Sequence, residues 1–183
     1  MQRRHRAFLL RSDMPARGIP YEELMTQIFG SRQAARPAED RLSALGGDVG
    51  IEFDFAAMPV AANSQLAHQA ILASRPEAQT QVLDALYSAY WERGVDITDP
   101  EEVVGLASEA GGGNREVLLD GLSDGAGRLA QDRAEAQNLG VQAVPTLIAA
   151  GCIAVQGAQP PEVLTRFLAQ ARVQATPSPA TPR

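Results

Sequence analysis

The side chains able to do redox, nucleophilic or metal chemistry in this chain are few. Its 183 residues hold one cysteine, Cys152, and two histidines, His5 and His68. One sulfur cannot close an intrachain disulfide or form a dithiol couple, and two imidazoles far apart in sequence give no zinc-type ligand set. Cys152 lies in Gly151-Cys152-Ile153-Ala154-Val155, where no neighbouring cation would lower its pKa, so its expected role is packing. The residues thus supply no catalytic group and no metal site within the chain. A main-chain feature is more informative. In Gly140-Val141-Gln142-Ala143-Val144-Pro145-Thr146-Leu147-Ile148 a proline stands just before an apolar run with the composition of a buried strand. Proline cannot donate to a strand ladder and is confined to edges, starts and bulges. Two readings are open: a cis bond that turns backbone groups outward to meet an extended peptide, or a trans proline that opens a strand after a helix.

Those residues must be positioned by a core, and composition allows one. A hydrophobic content of 45% is ordinary for a globular chain of one domain, or one core with an insertion. The formal charge of -6, from 22 acidic and 16 basic residues, with no basic stripe interleaved with aromatics, excludes nucleic acid as an expected partner. Arg3, Arg4, His5 and Arg6 make a basic start, but Ala7-Phe8-Leu9-Leu10 is too short for a signal-peptide core, which points to the cytoplasm. The apolar passage from Val141 to Val155 is interrupted by Pro145 and Gly151 and is too short for a membrane span.

Periodicity then places the elements. A strand is expected over Arg6 to Arg11, with a turn in Ser12-Asp13-Met14-Pro15-Ala16-Arg17-Gly18. Pro20 suits the first position of a helix carrying Leu24, Met25, Ile28 and Phe29, stopped by Gly30. Gln33 to Leu45 reads as a second helix in which Pro37 forces a later start or a kink. Ile51-Glu52-Phe53-Asp54-Phe55 alternates like a strand but is too short to anchor a sheet. Asn63 is a good N-cap for a helix with Leu66, Ala67, Ala70 and Ile71. Val82, Leu83, Leu86, Tyr87, Tyr90 and Trp91 mark a helix ended by Gly94, and the two tyrosines and the tryptophan are expected in the core. Asp99-Pro100-Glu101-Glu102 has the form of a capping box. Asn114 opens a short helix through Leu119, and Ser123-Asp124 opens another that reaches Leu139 and stops at Gly140. The period then turns strand-like: Pro145 to Ala149, a turn at Ala150-Gly151, and Cys152 to Val155 form a hairpin. Pro160-Pro161 begins a closing helix with Val163, Leu164, Phe167, Leu168 and Ala171 on one stripe.

Helix, Val-Pro-Thr strand, hairpin and closing helix make the second half of a thioredoxin-like fold. Phe8-Leu9-Leu10-Arg11-Ser12-Asp13-Met14-Pro15 with Gly18, Asn63-Ser64-Gln65-Leu66-Ala67-His68, Ala89-Tyr90-Trp91-Glu92-Arg93-Gly94-Val95-Asp96-Ile97, Ala134-Glu135-Ala136 with Gly140-Val141, Val144-Pro145 and Gly157-Ala158-Gln159-Pro160 stand in the order of a known family. On these blocks the chain resembles DsbA-like proteins of the FrnE branch. The resemblance implies an α/β thioredoxin-like fold with a large all-helical insertion. Its core would take residues 1–19 and 121–173, the insertion 20–120, and a disordered tail 174–183. It also implies that the first βα unit, which carries the family's Cys-x-x-Cys, is missing, because only Met1 to His5 precede the first strand candidate.

Carried over by position, the resemblance makes Pro145 the family's cis-proline, which with Val144 and Thr146 would meet a substrate. Asn63 and His68 match a motif near the family's cleft, and Gln159 a position near the proline loop. Each has a plainer reading: an N-cap, a partly exposed helix residue, a polar residue before a helix. The implied partner is a thiol or disulfide peptide, or glutathione as substrate, with no cofactor, and a homo-oligomer could cover the missing strand. Three functions follow: the larger part of a thiol-disulfide oxidoreductase, a glutathione-dependent isomerase similar to 2-hydroxychromene-2-carboxylate isomerase, and a non-catalytic binding protein using the proline cleft or open sheet.

Overall fold

Helix punctuation sets the order of elements in the computed structural model, which describes residues 4–149, 151 and 153–175. The expected packing of Cys152, the Ala150 part of the hairpin turn and the tail beyond residue 175 lie outside the described residues. The chain forms two compact units, 1–133 and 134–183.

The first unit is built from helices. A two-residue strand β1 (Ile19–Pro20) pairs antiparallel with β2 (Val60–Ala61), so Pro20 caps α1 (Tyr21–Phe29) from outside instead of opening it. Ser31 accepts the Ala34 N–H (3.1 Å) and starts α2 (Arg32–Gly47), which continues through Pro37. Between these two helices lies the buried carboxylate of Glu39. It accepts the Tyr21 hydroxyl at 2.9 Å and Nη1 of Arg32 at 2.6 Å, and burial, with that hydrogen bond, pushes the Tyr21 phenol far above its ordinary value. Residues 51–55 form no ladder. Instead Phe53 stacks on Phe55 (5.4 Å between ring centroids) and meets Trp91 edge-on (5.8 Å).

The main core joins α3 (Gln65–Ala73), α4 (Gln79–Arg93) and α5 (Pro100–Glu109) through Ala70, Val82, Val103, Val104 and Ala107. In α4 the buried face is Val82, Leu86 and Ala89, with Tyr90 and Trp91 partly buried. Tyr87, expected in the core, is exposed, because one residue past Leu86 the helix has turned about 100° away from that face. Asp99 caps α5 by accepting the Glu101 N–H (2.8 Å), but its own N–H donates to the Asp96 carbonyl, so the reciprocal half of the capping box is not made.

The two helices expected on either side of position 120 are one, α6 (Arg115–Asn138), opened by Asn114, whose side chain accepts the Val117 N–H. Glycine is a poor helix residue, and three stand inside α6, at 121, 125 and 127. Gly125 instead allows close approach: a Cβ there would run into the Gln69 carbonyl of α3. The fold that results is mixed α/β and helix-rich.

The strand expected over Arg6 to Arg11 does not form: residues 4–9 join no ladder and 10–13 turn. A strand needs a neighbour for its main-chain groups, and among the described residues none pairs here. Side chains take that part instead, as set out below.

In the second unit the end of α6 leads to β3 (Thr146–Ala149), which pairs antiparallel with β4 (Ile153–Gln156) from Thr146↔Gln156 to Ala149↔Ile153. Helix α7 (Pro161–Ala175) follows, with Phe167 and Ala171 buried and Val163, Leu164 and Leu168 beside them partly buried. It runs past the expected tail boundary at residue 174.

Candidate substrate-binding site

The proline corner is assembled by main-chain hydrogen bonds that its sequence dictates. Gly140, at φ 67°, takes the left-handed conformation that ends α6; its N–H donates to Gln137 (3.0 Å) and that of Val141 to Ala136 (2.9 Å), a Schellman stop. The Val144–Pro145 peptide bond is cis. The Thr146 hydroxyl donates back to the Ala143 carbonyl (2.6 Å), and the Gly157 N–H donates to the Pro145 carbonyl (2.7 Å). Just past the return strand, Nε2 of Gln159 donates to the Gln156 carbonyl at 2.8 Å. Gln156 is paired with Thr146, so Val144, Pro145, Thr146 and Gln159 share one corner of this unit.

The corner can offer a ligand only what its own hydrogen bonds leave free. The Thr146 hydroxyl, the Gln159 amide and the Pro145 carbonyl are committed to holding the loop. Val144 is 45% exposed, and among the described residues its N–H and C=O have no partner. Beyond it, β3 has one partner strand, leaving its other edge open among the described residues, with Leu147 and Ile148 half exposed. An apolar side chain beside free main-chain groups is suited to an extended peptide.

Asn63 and His68 belong to the first unit. Asn63 is buried; its Nδ2 donates to the Met14 carbonyl at 2.7 Å and its Oδ1 accepts the Gln65 N–H at 2.9 Å. It thus ties the Ser12–Gly18 turn to the start of α3. His68, half-buried on α3, lies near the Phe8 main chain and Asp132; burial lowers its pKa, and these two neighbours act in the opposite sense.

Sequence reasoning missed Asp132, which is buried on α6. Its Oδ2 accepts the Ala7 N–H at 2.8 Å and its Oδ1 accepts Nη1 of Arg6 at 2.7 Å. With His68 near Phe8 and Thr80 3.1 Å from Nε2 of His5, residues 5–8 lie against side chains of α3, α4 and α6. Ala7 also packs with Leu72 and Leu129. The signal was present: Leu118, Leu122, Gly125, Leu129 and Asp132 repeat at four- and three-residue spacing, so an aspartate falls on the inward stripe. Dividing the helix near residue 120 hid it. Among the described residues no cluster of His, Cys, Asp and Glu could hold a metal ion, and no helix is long and apolar enough to cross a membrane.

The fold has known counterparts. The structure of a probable DsbA oxidoreductase from Streptomyces coelicolor superposes with a TM-score of 0.83 at 28% identity, over 97% of this chain and 78% of that one. A candidate protein disulfide isomerase from Nitrosomonas europaea gives 0.66 at 15% identity, over 79% of this chain and 76% of that one, a likeness of fold. The comparison with curated proteins returns no match. The model of the DSBA-like thioredoxin domain matches residues 2–169, and the chain belongs to that family.

Proposed function

We propose that this chain is the substrate-holding part of a thiol-disulfide oxidoreductase of the FrnE type, and that the redox thiols are supplied from outside these residues. The exposed Val144 main chain, unpartnered among the described residues and continuous with the open edge of β3, carries this reading. A peptide laid there would gain main-chain hydrogen bonds from Val144 and apolar contact from Leu147. In the reaction itself, a thiolate attacks one sulfur of the substrate disulfide, that S–S bond breaks, and the departing sulfur takes a proton. A second thiolate then attacks the mixed disulfide, releasing the reduced substrate and leaving the enzyme pair oxidised. An enzyme pair of this kind needs two cysteines, and this chain has one.

Two measurements test this. In an insulin reduction assay with dithiothreitol as electron donor, the chain is expected to leave the uncatalysed rate unchanged, and turnover clearly above background would overturn the external source of the thiols. Excess reduced and alkylated insulin B chain should slow amide exchange at Val144 and along β3. Unchanged exchange there would overturn the peptide-holding assignment.

A further inference from the structure

We propose that the end of α2 and the loop after it form a docking face for a segment of another protein in which apolar side chains are followed by lysine or arginine. This goes beyond the oxidoreductase reading and does not depend on it.

The apolar half is a strip on a fixed frame. Leu42 and Leu45 lie three residues apart on one face of α2, and both are exposed, Leu45 at 55%. Val49, 71% exposed, and Ile51 follow in the loop. The N–H groups of Val49 and Ile51 both donate to the Gly46 carbonyl at 2.9 Å, and Gly46 is buried against the Phe53 ring. The loop is therefore held on the end of the helix, and the strip is presented in one geometry. Apolar side chains placed together on a surface mark interaction sites more often than singly scattered ones do.

The charged half says what covers the strip. Gly50, Glu52, Phe53, Asp54 and Glu92 line an open cleft of about 510 Å³. It begins where the strip ends, since Gly50 and Glu52 flank Ile51 in the chain. Its lining holds three carboxylates and no base. Asp54 spends Oδ1 on the Ala56 and Ala57 N–H groups, and the Ser88 hydroxyl donates to Glu92, which fixes two of the three negative charges in place. An ammonium or guanidinium entering the cleft would meet these charges and the Phe53 ring, a setting that favours cations. Arg41, at the far end of the strip, gives the face a direction: the partner's basic end lies at the cleft and its apolar part runs back along α2. The chain's net charge of -6 weighs against a second copy as occupant.

The test is a fluorescence-anisotropy titration of the whole chain with a labelled peptide of about twelve residues, leucines at helical spacing followed by lysines. Binding with a Kd of about 10–100 μM is expected, weakening roughly tenfold on going from low to high salt. Val49→Ser and Glu52→Lys, both at exposed positions, should each weaken it about tenfold, while Glu109→Lys on α5 should leave it unchanged. Circular dichroism and melting of each variant confirm that the fold is retained. Equal affinity for a peptide carrying glutamates in place of the lysines, or no change with Glu52→Lys, would overturn the proposal. So would sedimentation showing that copies of the chain associate through this face and exclude the peptide.

Discussion

The core of the first unit and the hairpin of the second use the same kinds of residue to opposite effect. Val82, Val103 and Val104 are completely buried among α3, α4 and α5, whereas Leu147 and Ile148 of β3 are 40% and 41% exposed. The helices find enough neighbours within their own unit to bury their stripes. The hairpin is two strands wide, and an isolated pair of strands is marginal in water without a further strand or a helix against it. Residues 5–8 belong with the hairpin in this respect: a segment with strand-like composition whose main chain is held at Ala7 by Asp132 in place of a ladder. Where apolar sequence and burial disagree, the contacts that would bury these side chains are not made among the described residues.

The largest effect should come from the buried side. Leu118 is 1% exposed within the helical core, and Leu118→Ala should cost about 3 kcal/mol through lost burial and a residual cavity. Leu147→Ala removes a half-exposed side chain and should cost under about 1 kcal/mol. Urea unfolding of the two variants measures the difference, and equal losses would break the contrast, showing that β3 is packed as tightly as the helices.

The segment over residues 5–8 allows a sharper test, because its attachment is polar. Asp132→Ala would leave the Ala7 N–H without its acceptor and remove one ion-pair partner of Arg6, at a cost of about 2 kcal/mol. Amide exchange at Ala7 should rise together with it. Arg6→Ala, at a half-exposed position on the same carboxylate, should cost under about 1 kcal/mol. Unchanged exchange at Ala7 in Asp132→Ala would show that the packing of Ala7 against Leu72 and Leu129 holds the segment on its own.

These particulars show what could be read before the fold was known. Helix ends marked by Gly30, Asn114 and Gly140, the burial of Val82 and Leu86 on α4, and that of Val103, Val104 and Ala107 on α5 follow from local stereochemistry and period, and they stand where expected. Val144 to Thr146 and Gln159 come together at one corner because the hairpin pairs Thr146 with Gln156, whose carbonyl Gln159 binds. What failed were inferences that needed a neighbour distant in the chain. Arg6 to Arg11 has the composition of a strand, but a ladder is a property of two segments. Pro37 and the glycines of α6 are poor helix residues on propensity, and tertiary packing overrides that cost, most visibly where Gly125 lies against Gln69. Tyr87 sits at helical spacing from other apolar residues and still faces water, because the stripe it was assigned to is narrower than the run of apolar residues. For Asn63 the local reading and the fold agree in part: it does serve the start of α3, through Gln65, while its amide reaches Met14, which no local pattern foretells.

The smallest effect separates the two kinds of attachment at residues 5–8 by pH. Burial holds the His68 pKa below its ordinary 6.5, so the folded chain gives up this proton more readily than the unfolded chain does. Between the lowered value and 6.5 the unfolded state binds more protons, and stability therefore falls as the pH drops through this window. Above it the ring is neutral in both states and the contribution no longer varies. In a His5→Gln background, where His68 is the remaining imidazole, unfolding free energy should decline below pH 6.5. Adding His68→Gln should flatten that decline, and amide exchange at Ala7 should follow the same profile in the parent if His68 and Asp132 hold the segment as one unit. A decline that persists unchanged without His68 would assign the pH response to the carboxylates and leave Asp132 alone as the side chain that stands in for a strand.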